Sequence, residues 1–282
     1  MRYTVSAFAD EAADNLLEQI GACKKNNIEF IELRGVGGKN VSVLTLEEVK
    51  EIKKTLDDNG IKLSAIGSPY GKINILDDFA PHLEQYKRTI EAAHVLGTEN
   101  IRLFSFYMPK NGRRADYRQQ VIDRLGAFID NADGIRVCHE NESDIFGEDA
   151  EHCLDLCNAF PGKLMHIFDP ANFIMCGVDS LQAYKLLKPH IVYFHIKDAI
   201  AKEKKIVPAG YGDGEIGKIL CDFAAEGKDA FVTLEPHLAV FTGLDEMSKT
   251  TAGTMTFSYQ SRGEAFDAAA AALRDVLSKN NL

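Results

Sequence analysis

Residues 164–198 read LMHIFDPANFIMCGVDSLQAYKLLKPHIVYFHIKD. The β-rich runs 164–168 and 191–196 enclose an amphipathic stretch whose apolar spacing predicts a helix over 179–187. A helix between two strands excludes a hairpin, so the strands pair in parallel. Both strands also finish on polar groups, Asp169 just beyond the first and His195 near the end of the second.

Outward from this unit the alternation repeats. Further strands are predicted at 3–8, 29–33, 62–66, 100–104, 135–139 and 231–234, with helices at 12–25, 46–58, 79–96, 115–131, 148–159, 216–225 and 263–278. The 46–58 helix shows the local logic. Thr45 and Glu48 stand at capping-box spacing, Leu46, Val49, Ile52 and Leu56 form one apolar stripe, and Gly60 follows the last turn. Eight strands are the number that closes a barrel. A doubly wound dinucleotide fold would place GxGxxG after its first strand, whereas this chain has SAFADEAADN there. The predicted fold is therefore α/β, a single-domain (βα)8 TIM barrel over residues 1–282.

Composition bounds the partners. The chain has 282 residues, 45% of them hydrophobic and 26% charged, and a net charge of -10, which argues against nucleic acid or an anionic membrane as a partner. Asp10, Glu11 and Asp14 interrupt any signal-peptide core, and no window holds 18 consecutive apolar residues, so a soluble cytoplasmic protein is expected. The six cysteines form no CxxC pair. Cys153 and Cys157, four apart in a helical stretch, read as reduced core residues that need neither metal nor disulfide.

Polar groups gather where the last four strands end: VCHENE (137–142), MHIFDPAN (165–172), YFHIKD (193–198) and VTLEPH (232–237). A carboxylate after one strand is most often a helix cap. Four consecutive strands of a closed barrel, however, would bring Glu140, Asp169, His195 and Glu235 into one small volume at its C-terminal end. Three carboxylates there need compensation, and one divalent cation supplies it. An oxygen-rich set with one imidazole suits Mn2+ or Mg2+, with Co2+ or Zn2+ tolerated. His139, His166 and Asn141 have less claim, because alternation along a strand turns neighbouring side chains to opposite faces.

This pattern resembles the xylose isomerase-like TIM-barrel superfamily, specifically its sugar phosphate isomerase/epimerase group, which includes ketose 3-epimerases, hydroxypyruvate isomerase, inosose dehydratase and endonuclease IV. The marks are HEN at 139–141, FDPANF at 168–173, HIKD at 195–198, PAGYGDGEI at 208–216 and LEPH at 234–237. The resemblance implies that Glu140, Asp169, His195 and Glu235 bind the metal and that Glu140 and Glu235 exchange protons with the substrate. The chain departs from ketose 3-epimerases at Asn172, where they carry a substrate-contacting histidine, and at Ala201, where they carry an arginine. It also lacks the extra histidine ligands of endonuclease IV, since the third and fourth strands end AIGSPYG and RLFSFY.

The implied activity is a metal-dependent isomerase or epimerase of a small sugar, sugar phosphate or polyol ketone, acting by proton abstraction next to a carbonyl through a metal-stabilised cis-enediolate. The alternatives are a dehydratase or other lyase on the same core, of inosose or 3-oxo-sugar type, and a non-catalytic sugar-binding protein. Asn172, Lys72, Glu142 and Lys197 are the candidates for orienting substrate. Lys202, Lys204 and Lys205 form a basic run suited to a phosphate or to a solvated face. The long segment 238–261, with Phe241, Leu244, Met255 and Phe257, would cover substrate or meet a second copy in a homo-oligomer.

Overall fold

The computed structural model describes residues 2–239 and 259–282. Phe241, Leu244, Met255 and Phe257, and with them most of the expected lid or interface segment, lie outside the described residues. Eight parallel strands form a closed barrel: β1 (Tyr3–Ala7), β2 (Phe30–Leu33), β3 (Lys62–Ile66), β4 (Asn100–Leu103), β5 (Arg136–Glu140), β6 (Leu164–Phe168), β7 (Ile191–Ile196) and β8 (Ala230–Leu234). Each strand pairs with its neighbours in sequence. Closure comes from β1, which pairs with β8 from Tyr3↔Ala230 to Ala7↔Leu234 and with β2 at Ser6↔Phe30.

Around the barrel run α1 (Leu16–Lys25), α2 (Leu46–Asp58), α3 (Ala80–Leu96), α4 (Arg114–Asp130), α5 (Ala150–Ala159), α6 (Pro170–Met175), α7 (Ser180–Leu187), α8 (Ile216–Ala225) and α9 (Arg262–Lys279). Local chemistry sets several of their ends. Thr45 and Glu48 close the expected capping box on α2, and Asp149, Asp179 and Ser261 each accept a backbone N–H at the starts of α5, α7 and α9.

The outer faces of the strands and the inner faces of the helices make one continuous core, while Ala65, Cys138, Ile167 and Tyr193 pack as a separate layer. All six cysteines are free, with Cys23, Cys138, Cys153 and Cys157 buried and Cys176 and Cys221 partly exposed. No helix among the described residues is long and apolar enough to cross a membrane.

Three features were absent from the sequence expectation. The short helix α6 starts immediately after β6, because the Asp169 side chain caps it and Pro170 occupies its first turn. Two small antiparallel ribbons follow β2 and β7, pairing Gly35–Val36 with Lys39–Asn40 and Asp198–Ile200 with Lys205–Val207. The second ribbon turns through the basic run, placing Lys202 and Lys204 in solvent and Lys205 within 3.1 Å of Glu203.

Candidate metal centre

The last four strands deliver their polar ends to one point. Glu140 is the final residue of β5, Asp169 follows β6, His195 lies in β7 and Glu235 follows β8. All four are buried, and one ligand atom from each lies within 4.8 Å of the others. His139 and His166, as expected, share the opposite face, where their rings stack against each other.

Asp169 serves two purposes with its two oxygens. Oδ1 accepts the Asn172 N–H at 2.9 Å and caps α6, while Oδ2 faces the site without a well-formed hydrogen bond. Asn141 fixes the backbone beneath it, donating from Nδ2 to the Asp169 carbonyl at 2.9 Å and accepting the Asp169 N–H at 3.1 Å. His195 is held just as firmly. Its Nε2 is 3.1 Å from Glu32 Oε2, and its Nδ1 is 2.8 Å from Glu140 Oε1 and 3.5 Å from Glu235 Oε2. Glu32 also accepts the Tyr193 hydroxyl at 3.2 Å. A carboxylate behind the imidazole is the usual support for a ligating histidine, and here it leaves Nδ1 directed at the cluster.

Three cations stand against the carboxylates. Arg102 Nη1 lies 3.1 Å from Glu140 Oε2 and 3.8 Å from Glu235 Oε1, so one guanidinium spans both glutamates. Arg34 contacts Asp10, Glu11 and Glu235 at 2.8, 3.1 and 3.2 Å. Lys197 Nζ sits 2.7 Å from Asp169 Oδ2 and 2.9 Å from Glu235 Oε2. Both guanidinium groups lie over the Phe8 ring, at 4.4 and 5.0 Å. Gly67 leaves room for that ring, since a Cβ there would fall 2.4 Å from Phe8 Cε1.

Burial opposes ionisation of Glu140, but His195 and Arg102 outweigh it and hold its pKa down at about 2. For Asp169, burial prevails over Lys197 and the value is pushed up to about 7. Burial likewise lifts Glu11 to about 8, with Arg34 opposing and Glu235 and Asp10 adding repulsion. Glu140 and Glu32 together overcome desolvation and raise His195 well above its ordinary range.

The donor set fits a divalent cation. Six carboxyl groups, on Asp10, Glu11, Glu32, Glu140, Asp169 and Glu235, face Arg34, Arg102, Lys197 and an imidazole whose proton Glu140 and Glu32 retain, and a divalent cation at Nδ1 would take the place of that proton. Lys197 already places an ammonium between two of the four ligands. The candidate orienting residues are also buried or nearly so: Lys72 pairs with Glu142 at 3.0 Å and lies 4.3 Å over the Phe104 ring, while Asn172 Nδ2 donates to the Asn141 carbonyl at 2.9 Å and reaches Glu140 Oε1 at 3.5 Å.

Sequence reasoning missed Glu11, Glu32, Arg34, Arg102 and His237. The available signal was a charged residue within or at the end of an otherwise apolar strand, as in FIELR and NIRLF. His237 was in plain view in LEPH. It adopts a left-handed backbone (φ 47°), donates its N–H to Glu11 Oε2 at 2.7 Å, and places Nε2 3.5 Å from Glu235 Oε1.

A closed (βα)8 barrel with this cluster at the ends of its strands is a candidate metal-dependent enzyme of the isomerase/epimerase type. A family model described as xylose isomerase-like TIM barrel matches residues 20–250, and the chain belongs to that family. No curated protein sequence matches it significantly.

Several solved structures share the fold. L-ribulose 3-epimerase superposes with a TM-score of 0.76 at 16% identity, covering 99% of this chain and 95% of that one. The IOLI protein with a binding zinc atom gives 0.73 at 17%, covering 98% and 99%. The probable 3-DHS dehydratase AsbF from Bacillus anthracis gives 0.72 at 17%, covering 97% and 99%.

Proposed function

We propose that the chain is a divalent-metal-dependent sugar isomerase or epimerase that moves a proton at a carbon next to a carbonyl, with Glu140 and Glu235 as the proton-transfer pair. The observation that carries this reading is the convergence of Glu140, Asp169, His195 and Glu235, with both glutamates spanned by Arg102. Mn2+ or Mg2+ is the preferred ion for this oxygen-rich set. When bound, it would supply electrostatic stabilisation for negative charge developing on substrate oxygens.

The chain's own residues perform the remaining tasks. Glu32 orients His195, and Asn141 and the α6 cap orient Asp169. Arg102 favours the ionised forms of Glu140 and Glu235, so either can accept the substrate proton. The other glutamate, having taken a proton from solvent, returns it to the same carbon in epimerisation or to its neighbour in isomerisation, and the first then releases the substrate proton to solvent. Phe8, beneath two guanidinium groups and edge-on to His195 at 5.0 Å, keeps one wall of the site apolar. The substrate class is a small polar ketose, sugar phosphate or polyol ketone.

One observation favours a lyase as the second reading. The Asn172 amide is engaged with Asn141 and Glu140, at the position where a ketose 3-epimerase would offer a histidine to substrate. Loss of a β-hydroxyl after proton removal would then make the enzyme a dehydratase.

The test is incubation of the metal-loaded protein with a panel of ketoses and polyol ketones in D2O, followed by product identification. Solvent deuterium at the carbon next to the carbonyl supports the proposal. An epimer or aldose–ketose pair identifies an isomerase, an unsaturated or deoxy product identifies the lyase, and binding without exchange overturns proton-transfer chemistry.

A further inference from the structure

On the other side of the same two strands lies a second cluster of metal-ligating side chains. His139 on β5 and His166 on β6 are direct partners in the strand register, so both imidazoles leave the barrel on its helical side. Their rings stack with centroids 6.0 Å apart and 28° between planes. Cys153, in the first turn of α5, completes the group. All three residues are fully buried, and one ligand atom from each lies within 4.8 Å of the other two.

The hydrogen bonding here is incomplete. Among the described residues, neither ring nitrogen of His166 nor Nδ1 of His139 has a well-formed hydrogen bond, the His139 backbone being the nearest polar group acting on the His166 ring, while Cys153 Sγ donates to the Gly147 carbonyl at 3.2 Å. Buried polar atoms left unsatisfied are costly, and each of the two imidazoles has one nitrogen within 4.8 Å of the Cys153 sulfur. The other nitrogen of His139 is occupied. Its Nε2 is 2.9 Å from Ser105 Oγ, which also accepts the Gly147 N–H at 2.8 Å. The tautomer in which Nε2–H donates to Ser105 would leave a lone pair on Nδ1, the arrangement that supports a ligating histidine. Gly147 leaves no slack around the ring, because a Cβ there would fall 2.4 Å from His139 Cε1.

We infer that His139, Cys153 and His166 form a second metal site, with three protein ligands, for a borderline-soft ion such as Zn2+. Two neutral imidazoles and a thiol that loses its proton on binding are the ligand chemistry such an ion prefers, in contrast to the carboxylate-rich cluster inside the barrel. Zn–N bonds of about 2.0–2.1 Å and a Zn–S bond of about 2.3 Å need donors roughly 3.4–3.6 Å apart. Closing the observed cluster onto an ion therefore requires shifts of only about 1 Å. The ion would tie α5 to β5 and β6, the strands whose ends carry Glu140 and Asp169. The inference does not depend on the proposed reaction, since its ligands face away from the inner site.

Cobalt distinguishes the two sites, because only the outer one contains a thiolate. The full chain is expressed in cobalt-supplemented medium, so that the buried site loads during folding, and its metal content and near-ultraviolet absorption are measured. Two cobalt ions per chain and a thiolate-to-cobalt charge-transfer band are expected. The band should vanish in Cys153→Ser, persist in the neighbouring control Cys157→Ser, and persist in an Asp169→Asn/His195→Asn variant that has lost the inner ion. A wild-type protein with no such band overturns the inference whether or not the variants fold, and so does a band that survives Cys153→Ser.

Discussion

The mouth of the barrel has two halves of different character. From β5 to β8, Glu140, Asp169, His195 and Glu235 present ligands from the strand ends. From β1 to β4, Phe8, Glu32, Arg34 and Arg102 present counter-charges and an apolar wall from within or just beyond the strands. The first half can hold a cation, and the second governs how much negative charge that cation encounters. A ligand set alone therefore does not define this centre. Its affinity and proton chemistry depend on cations that reach across the barrel to the same carboxylates.

The comparison is tested most severely at the glutamates. In metal-saturated protein, Glu140→Gln or Glu235→Gln is expected to lower turnover at least about 10²-fold, because the amide preserves shape and one oxygen donor but removes the base. Metal content must be measured alongside the rate. If both variants retain the ion and turn over substrate at near wild-type rates, the division of roles is wrong.

Arg102→Met probes the opposite half. Removing one partner of a buried ion pair costs about 3–5 kcal/mol, so the metal-free variant should unfold at markedly lower temperature or denaturant concentration. Added divalent metal should recover part of the loss, because it neutralises the same glutamates. A variant as stable as wild type in the metal-free state would show that Arg102 has no such duty.

Lys197→Met is expected to act in the other direction on affinity. Its ammonium neutralises Asp169 and Glu235 and competes with an incoming cation. Without it, Mn2+ should bind about 10-fold more tightly by calorimetry, equivalent to about 1.4 kcal/mol. Unchanged or weaker binding would mean that Lys197 supports the bound state.

The smallest effect lies outside both halves and sets the background for pH studies. Burial, with Arg124 adding repulsion, pushes His82 down to about 4, and its Nε2 accepts the Gly71 N–H at 2.9 Å. Between about 6.5 and 4 the unfolded chain binds the proton more readily than the folded one. This contribution to stability is complete above about 6.5, falls with pH through that window and levels near 4. His82→Gln should flatten the melting temperature against pH there, whereas an unchanged slope would assign the titration elsewhere.

The same contrast explains what the sequence made legible. Eight β-rich runs, the Thr45/Glu48 box and four polar strand ends are local patterns, and the barrel and inner ligand set follow from them. Asp169 shows how close the helix-cap alternative came, since one of its oxygens is indeed a cap. Arg34 and Arg102 were harder to identify because their partners are distant in the chain: Glu140 meets Arg102 from the neighbouring strand, and Glu235 meets both arginines only once the barrel closes. Glu32 was obscured by the apolar strand around it. His139 and His166 were rightly placed on the outer face, yet their meeting with Cys153 depends on strand register and on how α5 docks, which no spacing along the chain encodes.

Anomalous diffraction from crystals of the Mn2+-loaded protein decides whether the four strand-end residues hold one divalent ion. An inner peak is expected within about 2.5 Å of ligand atoms from Glu140, Asp169, His195 and Glu235, with Lys197 Nζ displaced from between Asp169 and Glu235. A saturating soak with no peak there, or an ion bound elsewhere while Lys197 still bridges the two carboxylates, would contradict it.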